Sequence, residues 1–382
     1  MVKEVTRYIK RGVERELWAR AGGRCQFQGC NELAYKSSVT HERVNAAEMA
    51  HIYSFSKDGP RGWRGFLADK RALNNVSNLL LVCRKCHKTI DQDETGAKYS
   101  AELLQTWKRQ HEDRVRVVTG ISPTKNSHVI LYGGKIGEED SPLQPDLAIE
   151  AMFSDWYPAD DRVIDLGLKY EHEDKSADFW RTEAAHLRAG FERHIRGRIE
   201  EAQPNHFSIF ARADMPLLIL LGSLLTDKVP SEVYQLHREP HTWKWQDHPD
   251  GFAYEINVPP ETKAPPVLVV SLSARIHPDR ISAVVPSPVS VWEITVDECH
   301  NDFLKSKVQL SMFRTAMRKL LADIGHAHPT ASDLKIFPAM PVACAVELGR
   351  VRMPKADGKW SIYDQNHKLN KFIPALEIGG TP

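Results

Sequence analysis

The 382 residues carry 51 Lys and Arg against 50 Asp and Glu, with 42% hydrophobic and 26% charged residues. A chain of this length can bury a sizeable core and suits two or three domains of about 100 to 200 residues each. No apolar run approaches the roughly 20 residues of a membrane helix, and the start, MVKEVTRYIKRGVEREL, is polar and charged, so neither a span nor a secretory signal is expected and the expected compartment is the cytoplasm.

The net charge of +1 hides a division along the chain. Residues 1–120 hold 22 Lys and Arg against 14 Asp and Glu, a balance of +8, and the remainder holds 29 against 36, a balance of −7. Phosphate backbones attract basic surfaces because their binding is driven by charge neutralisation and counterion release. The first part is therefore the candidate nucleic-acid contact.

In chain order, VTRYIKRGVERELWARA (5–21) places Val5, Ile9, Val13 and Leu17 at helical spacing, and Gly-Gly stops this helix before Cys25. Four of the six cysteines form two close pairs, Cys25-x4-Cys30 and Cys83-x2-Cys86, while Cys299 and Cys344 stand apart in apolar surroundings and read as buried thiols. Four thiolates in two knuckles are the number and type of soft ligands that a tetrahedral structural zinc requires. After the second pair, Ser100 is expected to cap a helix over AELLQTWKRQHEDRVRVV, with Leu103, Leu104 and Trp107 on its buried face. The segment 121–127 lacks periodicity and reads as a linker.

Between the knuckles stand NAAEMAHIYSFSKDGPRG (45–62) and NNVSNLLLVCRKCH (74–87). A histidine, an asparagine and a second histidine inside CxxCH resemble the HNH nucleases with a ββα-metal fold, over about residues 15–112. The resemblance matches His51 to the first histidine, Asn78 to the asparagine and His87 to the last. It implies His51 as general base, Asn78 as a positioning residue, and His87 as ligand of a divalent cation, expected to be Mg²⁺. Many members carry an Asp or His ligand directly before the base, where this chain has Ala50. Asp91, one helical turn after His87, is the expected replacement; Glu48 is the weaker candidate, since on a strand it points away from the His51 face. Arg61, Arg64, Lys70, Arg71, Arg84, Lys85 and Lys88 are candidates for tracking DNA phosphates.

Beyond the linker, strands are expected in HVILYG (128–133), DRVIDLGLKY (161–170), PVLVVSLSARI (266–276) and SVWEITV (290–296), with helices near 178–200 and 305–324. HFSIFARADMPLLILLG (206–222) and DLKIFPAMPVACAVELG (333–349) read as two copies of one strand-loop-helix unit, 127 residues apart (333 minus 206). Two Rossmann-like halves are expected to face each other, with ligand loops beyond the carboxyl ends of their strands. The stretches 215–245 and 335–351, with IYDQN (362–366), resemble the SAVED domain, which is built from two fused CARF-like halves and binds cyclic oligonucleotides.

The expected fold class is thus α+β: an N-terminal ββα-metal (HNH) domain with zinc knuckles over 1–120, and an α/β SAVED domain of two fused CARF-like, Rossmann-type halves over 128–382. An HNH nuclease joined to SAVED resembles the effector endonuclease of a CBASS anti-phage system. That implies activation by a cyclic dinucleotide or trinucleotide, double-stranded DNA as substrate, and a homo-oligomer, dimer or tetramer when activated. Candidate ligand contacts are Arg212 and Arg238 to phosphate, Trp243 and Trp245 stacking on bases, Ser271 and Ser273 as hydrogen-bond donors, and Pro338 and Met340 in the second repeat's loop. Two other readings are a constitutive, modification-dependent restriction enzyme, which needs a basic C-terminal half, and a non-catalytic zinc-containing DNA-binding regulator.

Overall fold

The computed structural model describes residues 7–37, 39–57, 59–63, 66, 70–133, 143–167, 175–200, 206–366 and 368–379. The chain divides into two compact units, Met1–Ser122 and Pro123–Pro382.

The first unit contains α1 (Arg11–Arg20), β1 (Ala47–His51), β2 (Leu79–Cys83), α2 (Arg84–Asp91) and α3 (Ala101–Thr119). β1 and β2 pair antiparallel, with Ala47 opposite Cys83 and His51 opposite Leu79. β2 is apolar at every position because it has a core on each face. Leu79 and Leu81 pack with Leu17, Ala21 and Ala34, while Leu80 and Val82 pack with Ile52, Ile90, Leu104 and Trp107. Ser100 caps α3 as expected, its hydroxyl accepting from the Leu103 N–H at 3.2 Å. α1 is shorter than the periodicity suggests: it starts at Arg11 on an extended Lys10 with no side-chain cap, so Ile9 packs from outside the helix. Val5 and Arg64 lie outside the described residues.

The second unit opens with β3 (Asn126–Gly133), α4 (Pro145–Met152), β4 (Tyr157–Pro158), β5 (Ile164–Asp165), α5 (Ala177–Phe191) and α6 (Gly197–Glu200). β6 (Phe207–Arg212), α7 (Met215–Leu225) and β7 (Ser231–Tyr234) complete its first sheet, which is parallel in the order β4-β3-β6-β7, with β5 also paired to β3. β8 (Glu255–Asn257), β9 (Pro266–Ser271), α8 (Pro278–Ser282), β10 (Ser290–Thr295), α9 (Lys307–Ala327), β11 (Asp333–Ala339), α10 (Val342–Val351), β12 (Lys359–Asn366) and β13 (Lys371–Ile378) follow. They build a second sheet, β13-β12-β11-β9-β10-β8, parallel inside and antiparallel at both edges.

Three expectations need correction. β3 starts at Asn126, inside the segment read as linker, because polar Ser127 is fully buried and satisfied by the Ser208 hydroxyl at 2.9 Å. The strand expected over 161–170 is reduced to Ile164–Asp165, and residues 168–170 lie outside the described residues. The helix expected near 178–200 is interrupted by a π-helical turn at Glu192–Arg196.

The repeat seen in sequence becomes β6-α7 and β11-α10, and its two helices cross at glycines. A Cβ on Gly222 would lie 1.9 Å from the Val346 carbonyl oxygen, and one on Gly349 would lie 1.9 Å from that of Ile219. The contact is reciprocal and repeats at an offset of 127 residues (349 minus 222), the same offset as the sequence copies. Only residues without a side chain allow backbones this close. α7, apolar on every face, is consequently buried between the halves. Lys175 adds a polar link, bonding Asp214 at the start of α7 and Asp364 on β12, both at 2.7 Å.

Candidate functional site

β1, β2 and α2 bring His51, Asn78 and His87 to one end of the first unit. Asn78 is buried, and its side chain accepts from the Tyr53 N–H at 2.8 Å and donates to the Tyr53 and Leu73 carbonyls at 3.1 and 3.0 Å. It thereby fixes the chain just beyond His51. Its own carbonyl extends the ladder by accepting from the Ile52 N–H at 2.9 Å.

The imidazole of His51 is held by a residue that the sequence reading missed. Asn74 Nδ2 donates to the Tyr8 carbonyl at 3.2 Å, which turns its Oδ1 toward His51 Nε2 at 3.1 Å. The Nε2 nitrogen then carries the proton and Nδ1 the lone pair. Burial lowers the pKa of His51, Asn74 opposes this, and the charges of Arg7 and His87 lower it further. A neutral ring is the form a general base needs. Phe55 lies edge-on at 6.0 Å, with Lys70 and Arg7 over its face at 5.0 and 5.8 Å, so two cations border the base.

On α2, His87 Nδ1 bonds Glu48 and Nε2 faces Asp91 at 3.6 Å. The expectation for Glu48 reverses. Its long side chain reaches α2 and bonds His87 there. Arg84 lies 3.9 Å from Glu48, and Arg61 is half-buried, donating to the Ile52 carbonyl at 3.1 Å as a brace for the loop.

The four knuckle cysteines are free thiols whose sulfurs all lie within 4.8 Å of one another, the one such cluster of metal-ligating side chains among the described residues. Tetrahedral bonds of about 2.3 Å to a central zinc would set sulfurs about 3.8 Å apart, and Cys30 and Cys83 are 3.9 Å apart. The donor set therefore fits a zinc ion. Gly22 and Gly23, at φ +59° and +64°, turn the chain into the first knuckle. Gln26 ties that knuckle to β2, its Oε1 accepting from the Leu81 N–H and its N–H donating to the Leu81 carbonyl, both at 2.8 Å. Burial pushes the Cys25 thiol up to about 12, whereas hydrogen bonds from Cys86 and the neighbouring thiols overcome burial and pull Cys83 down.

In the second unit the carboxyl ends of β6, β7, β9 and β11 converge on a cavity of about 390 Å³. Arg212 ends β6, Gln235, His237 and Arg238 follow β7, Ser273 follows β9 and Met340 follows β11. Both repeats contribute, as expected for a ligand at a strand-end crevice. Gln235 Oε1 accepts from the Ala343 N–H at the start of α10, at 3.2 Å, and so ties the first sheet's loop to the second half.

A family model described as the SMODS-associated and fused to various effectors sensor domain, SAVED, matches residues 187–378, half of the chain. The chain belongs to the SAVED family. An HNH endonuclease model matches residues 25–95, around the knuckles and the three HNH residues. An HNH endonuclease domain followed by SAVED is the domain pairing of a CBASS effector. Solved structures similar to the chain include the Acinetobacter baumannii Cap4 SAVED/CARF-domain containing receptor with the cyclic trinucleotide 2'3'3'-cAAA, at 12% identity and a TM-score of 0.44, covering 78% of this chain and 66% of that one. The Moraxella osloensis Cap4 receptor is similar at 14% identity and a TM-score of 0.37, covering 81% of this chain and 63% of that one. This chain thus spans less than two thirds of that receptor's length. No curated protein matches the sequence.

Of the expected contacts in the SAVED domain, Arg212, Arg238, Ser273 and Met340 line the cavity and four do not. Trp243 is a core residue, 3% exposed and edge-on to Phe210 at 5.2 Å. Trp245 is partly buried against the same core. Ser271 is fully buried and its hydroxyl accepts from the Ile276 N–H at 3.2 Å, a brace of its own loop. Pro338 is buried inside β11, opposite Val270. Gln235 and His237 were missed because SEVY was not read as a strand, which left the loop after it without a place in the sheet.

Proposed function

We propose that the protein is a metal-dependent endonuclease of double-stranded DNA, activated by a cyclic dinucleotide or trinucleotide in anti-phage defence. The nuclease domain lies in Met1–Ser122 and the sensor, two fused CARF-like halves, in Pro123–Pro382. The observation that carries the reading is the His51–Asn74 pair beside His87 and Glu48, in a chain whose other unit is a SAVED domain with a cavity at its strand ends.

His51 takes the proton of the attacking water at Nδ1. Asn74 keeps the other nitrogen protonated and orients the ring, and Asn78 fixes the loop that follows. Arg7 and Lys70, and further out Lys85 and Lys88, attract the DNA backbone. His87 Nδ1 and Glu48 would hold a divalent cation, proposed as Mg²⁺. When bound, the cation stabilises charge developing on the phosphodiester and the leaving oxygen. Asp91 faces the opposite ring nitrogen, where a carboxylate orients a metal-binding histidine rather than ligating the metal itself. The knuckle cysteines take a structural zinc.

Ligand enters between the two halves of the sensor, alters their packing, and drives dimers toward tetramers that pair nuclease sites, since cutting both strands requires two sites or two visits. The acidity of residues 121–382 argues against extensive DNA contact there. Plasmid cleavage with Mg²⁺, with and without a panel of cyclic di- and trinucleotides, tests the reading. Cutting should require one ligand, and equal cutting without any would refute it.

A further inference from the structure

The cavity in the SAVED domain contains a side chain that the fold leaves unsatisfied. His237 is fully buried and lines the cavity, and among the described residues neither ring nitrogen has a hydrogen-bond partner. Buried polar groups are almost always paired, so one that borders a cavity points to a missing ligand group. The backbone there is pinned, the His237 N–H donating to the Thr242 carbonyl at 2.9 Å, and Trp245 stands edge-on to the ring at 5.8 Å.

The surroundings determine what the ring can offer. Burial lowers its pKa, and Lys305 acts in the same direction against Asp302, so the imidazole is neutral, with one N–H and one lone pair. Asp302 Oδ1 is 4.0 Å from Nδ1, beyond hydrogen-bond reach, and already accepts from the Arg238 N–H at 3.3 Å. That carboxylate favours the proton on Nδ1, which leaves Nε2 as an acceptor. A phosphate carries only acceptors at neutral pH and cannot satisfy it. Arg212 and Arg238 on the same cavity are the groups suited to phosphate.

We propose that His237 is a specificity-determining contact, its Nε2 accepting a hydrogen bond from a donor on the bound cyclic oligonucleotide. The donor is an exocyclic amino group of a base or a ribose 2′-hydroxyl. The proposal rests on the reading of this cavity as the sensor site, and it adds the part of the ligand that is read.

The test is calorimetric titration of the full-length protein with every cyclic di- and trinucleotide of the four RNA bases. The tightest ligand is then compared with two analogues, one with the base amino groups replaced by oxo groups and one lacking free 2′-hydroxyls. Wild type should bind one analogue about tenfold or more weakly, because His237 is left unpaired. His237→Leu should bind the parent ligand about tenfold less tightly and lose that preference. His237→Gln, which keeps an acceptor near the Nε2 position, should retain it. The preference is a ratio within one preparation, so partial misfolding does not imitate its loss. Should the Leu variant fold poorly, His237→Asn, whose shorter amide sits near Nδ1, should lose the preference that His237→Gln keeps. Unchanged preference in both the Leu and Asn variants would overturn the proposal and leave the sensor reading standing. A wild type that binds no member of the panel would overturn the sensor reading and the proposal together.

Discussion

The residues assigned to catalysis and metal in the candidate nuclease site lie between 48 and 91, whereas the sensor cavity draws on residues 212 to 342 from the ends of four strands. The first unit positions its groups locally, on a hairpin, one short helix and a cluster of four thiols. The second positions them through long-range packing, with α7 and α10 crossing at two glycines inside a large apolar core. Small units need a staple where large ones rely on burial. Damage to either should therefore be separable in its effects.

The largest separable effect is expected from Cys83→Ser. Loss of one thiolate from a structural zinc site removes folding free energy directly. The first unit should become sensitive to limited proteolysis and lose its zinc, while ligand binding by the second persists. Gly349→Ala should do the converse. Its Cβ would meet a carbonyl oxygen at 1.9 Å, a clash costing about 3 kcal/mol or more. Calorimetric unfolding should show the second unit's transition lowered with zinc content intact.

A smaller effect is expected at Lys175, the only cation bonded to both Asp214 and Asp364 among the described residues. Both carboxylates are less than 10% exposed, so Lys175→Met, which removes the ammonium bonded to both, should cost about 3 kcal/mol, read by denaturant unfolding of the second unit. The least disruptive change is Asn74→Ala. Cleavage should fall about tenfold as the base loses its orientation. The pH profile should also move. Wild-type activity falls as His51 gains a proton, and its lowered pKa puts that acid limb below pH 6.5. Asn74 raises this pKa, so its removal should shift the limb to still lower pH; a shift upward would contradict the assigned hydrogen bond.

The same contrast explains what could be read from the sequence. Cys25, Cys30, Cys83, Cys86, His51, Asn78 and His87 sit in short motifs whose spacing is set by a turn or a single hairpin, so their grouping was legible. The paired β6-α7 and β11-α10 units were legible too, because a repeat shows in sequence whatever its packing. Asn74 was not: nothing in its neighbourhood tells that a 3₁₀ turn at Lys70–Asn74 returns it to His51. Glu48 was discounted on strand alternation, which gives the face of a residue but not which helix covers that face. The cavity was half legible. Arg212 and Met340 follow recognised strands, while His237 follows a four-residue strand, and Trp243 is the kind of aromatic whose burial depends on partners far away in the chain.

The most direct test is to follow cleavage and ligand binding on one preparation of His51→Ala. Affinity for the activating cyclic oligonucleotide should stay at the wild-type level, with plasmid cleavage reduced by about a thousandfold or more. Ligand-stimulated cleavage persisting at the wild-type rate would contradict the assignment of His51, because the base would then lie elsewhere.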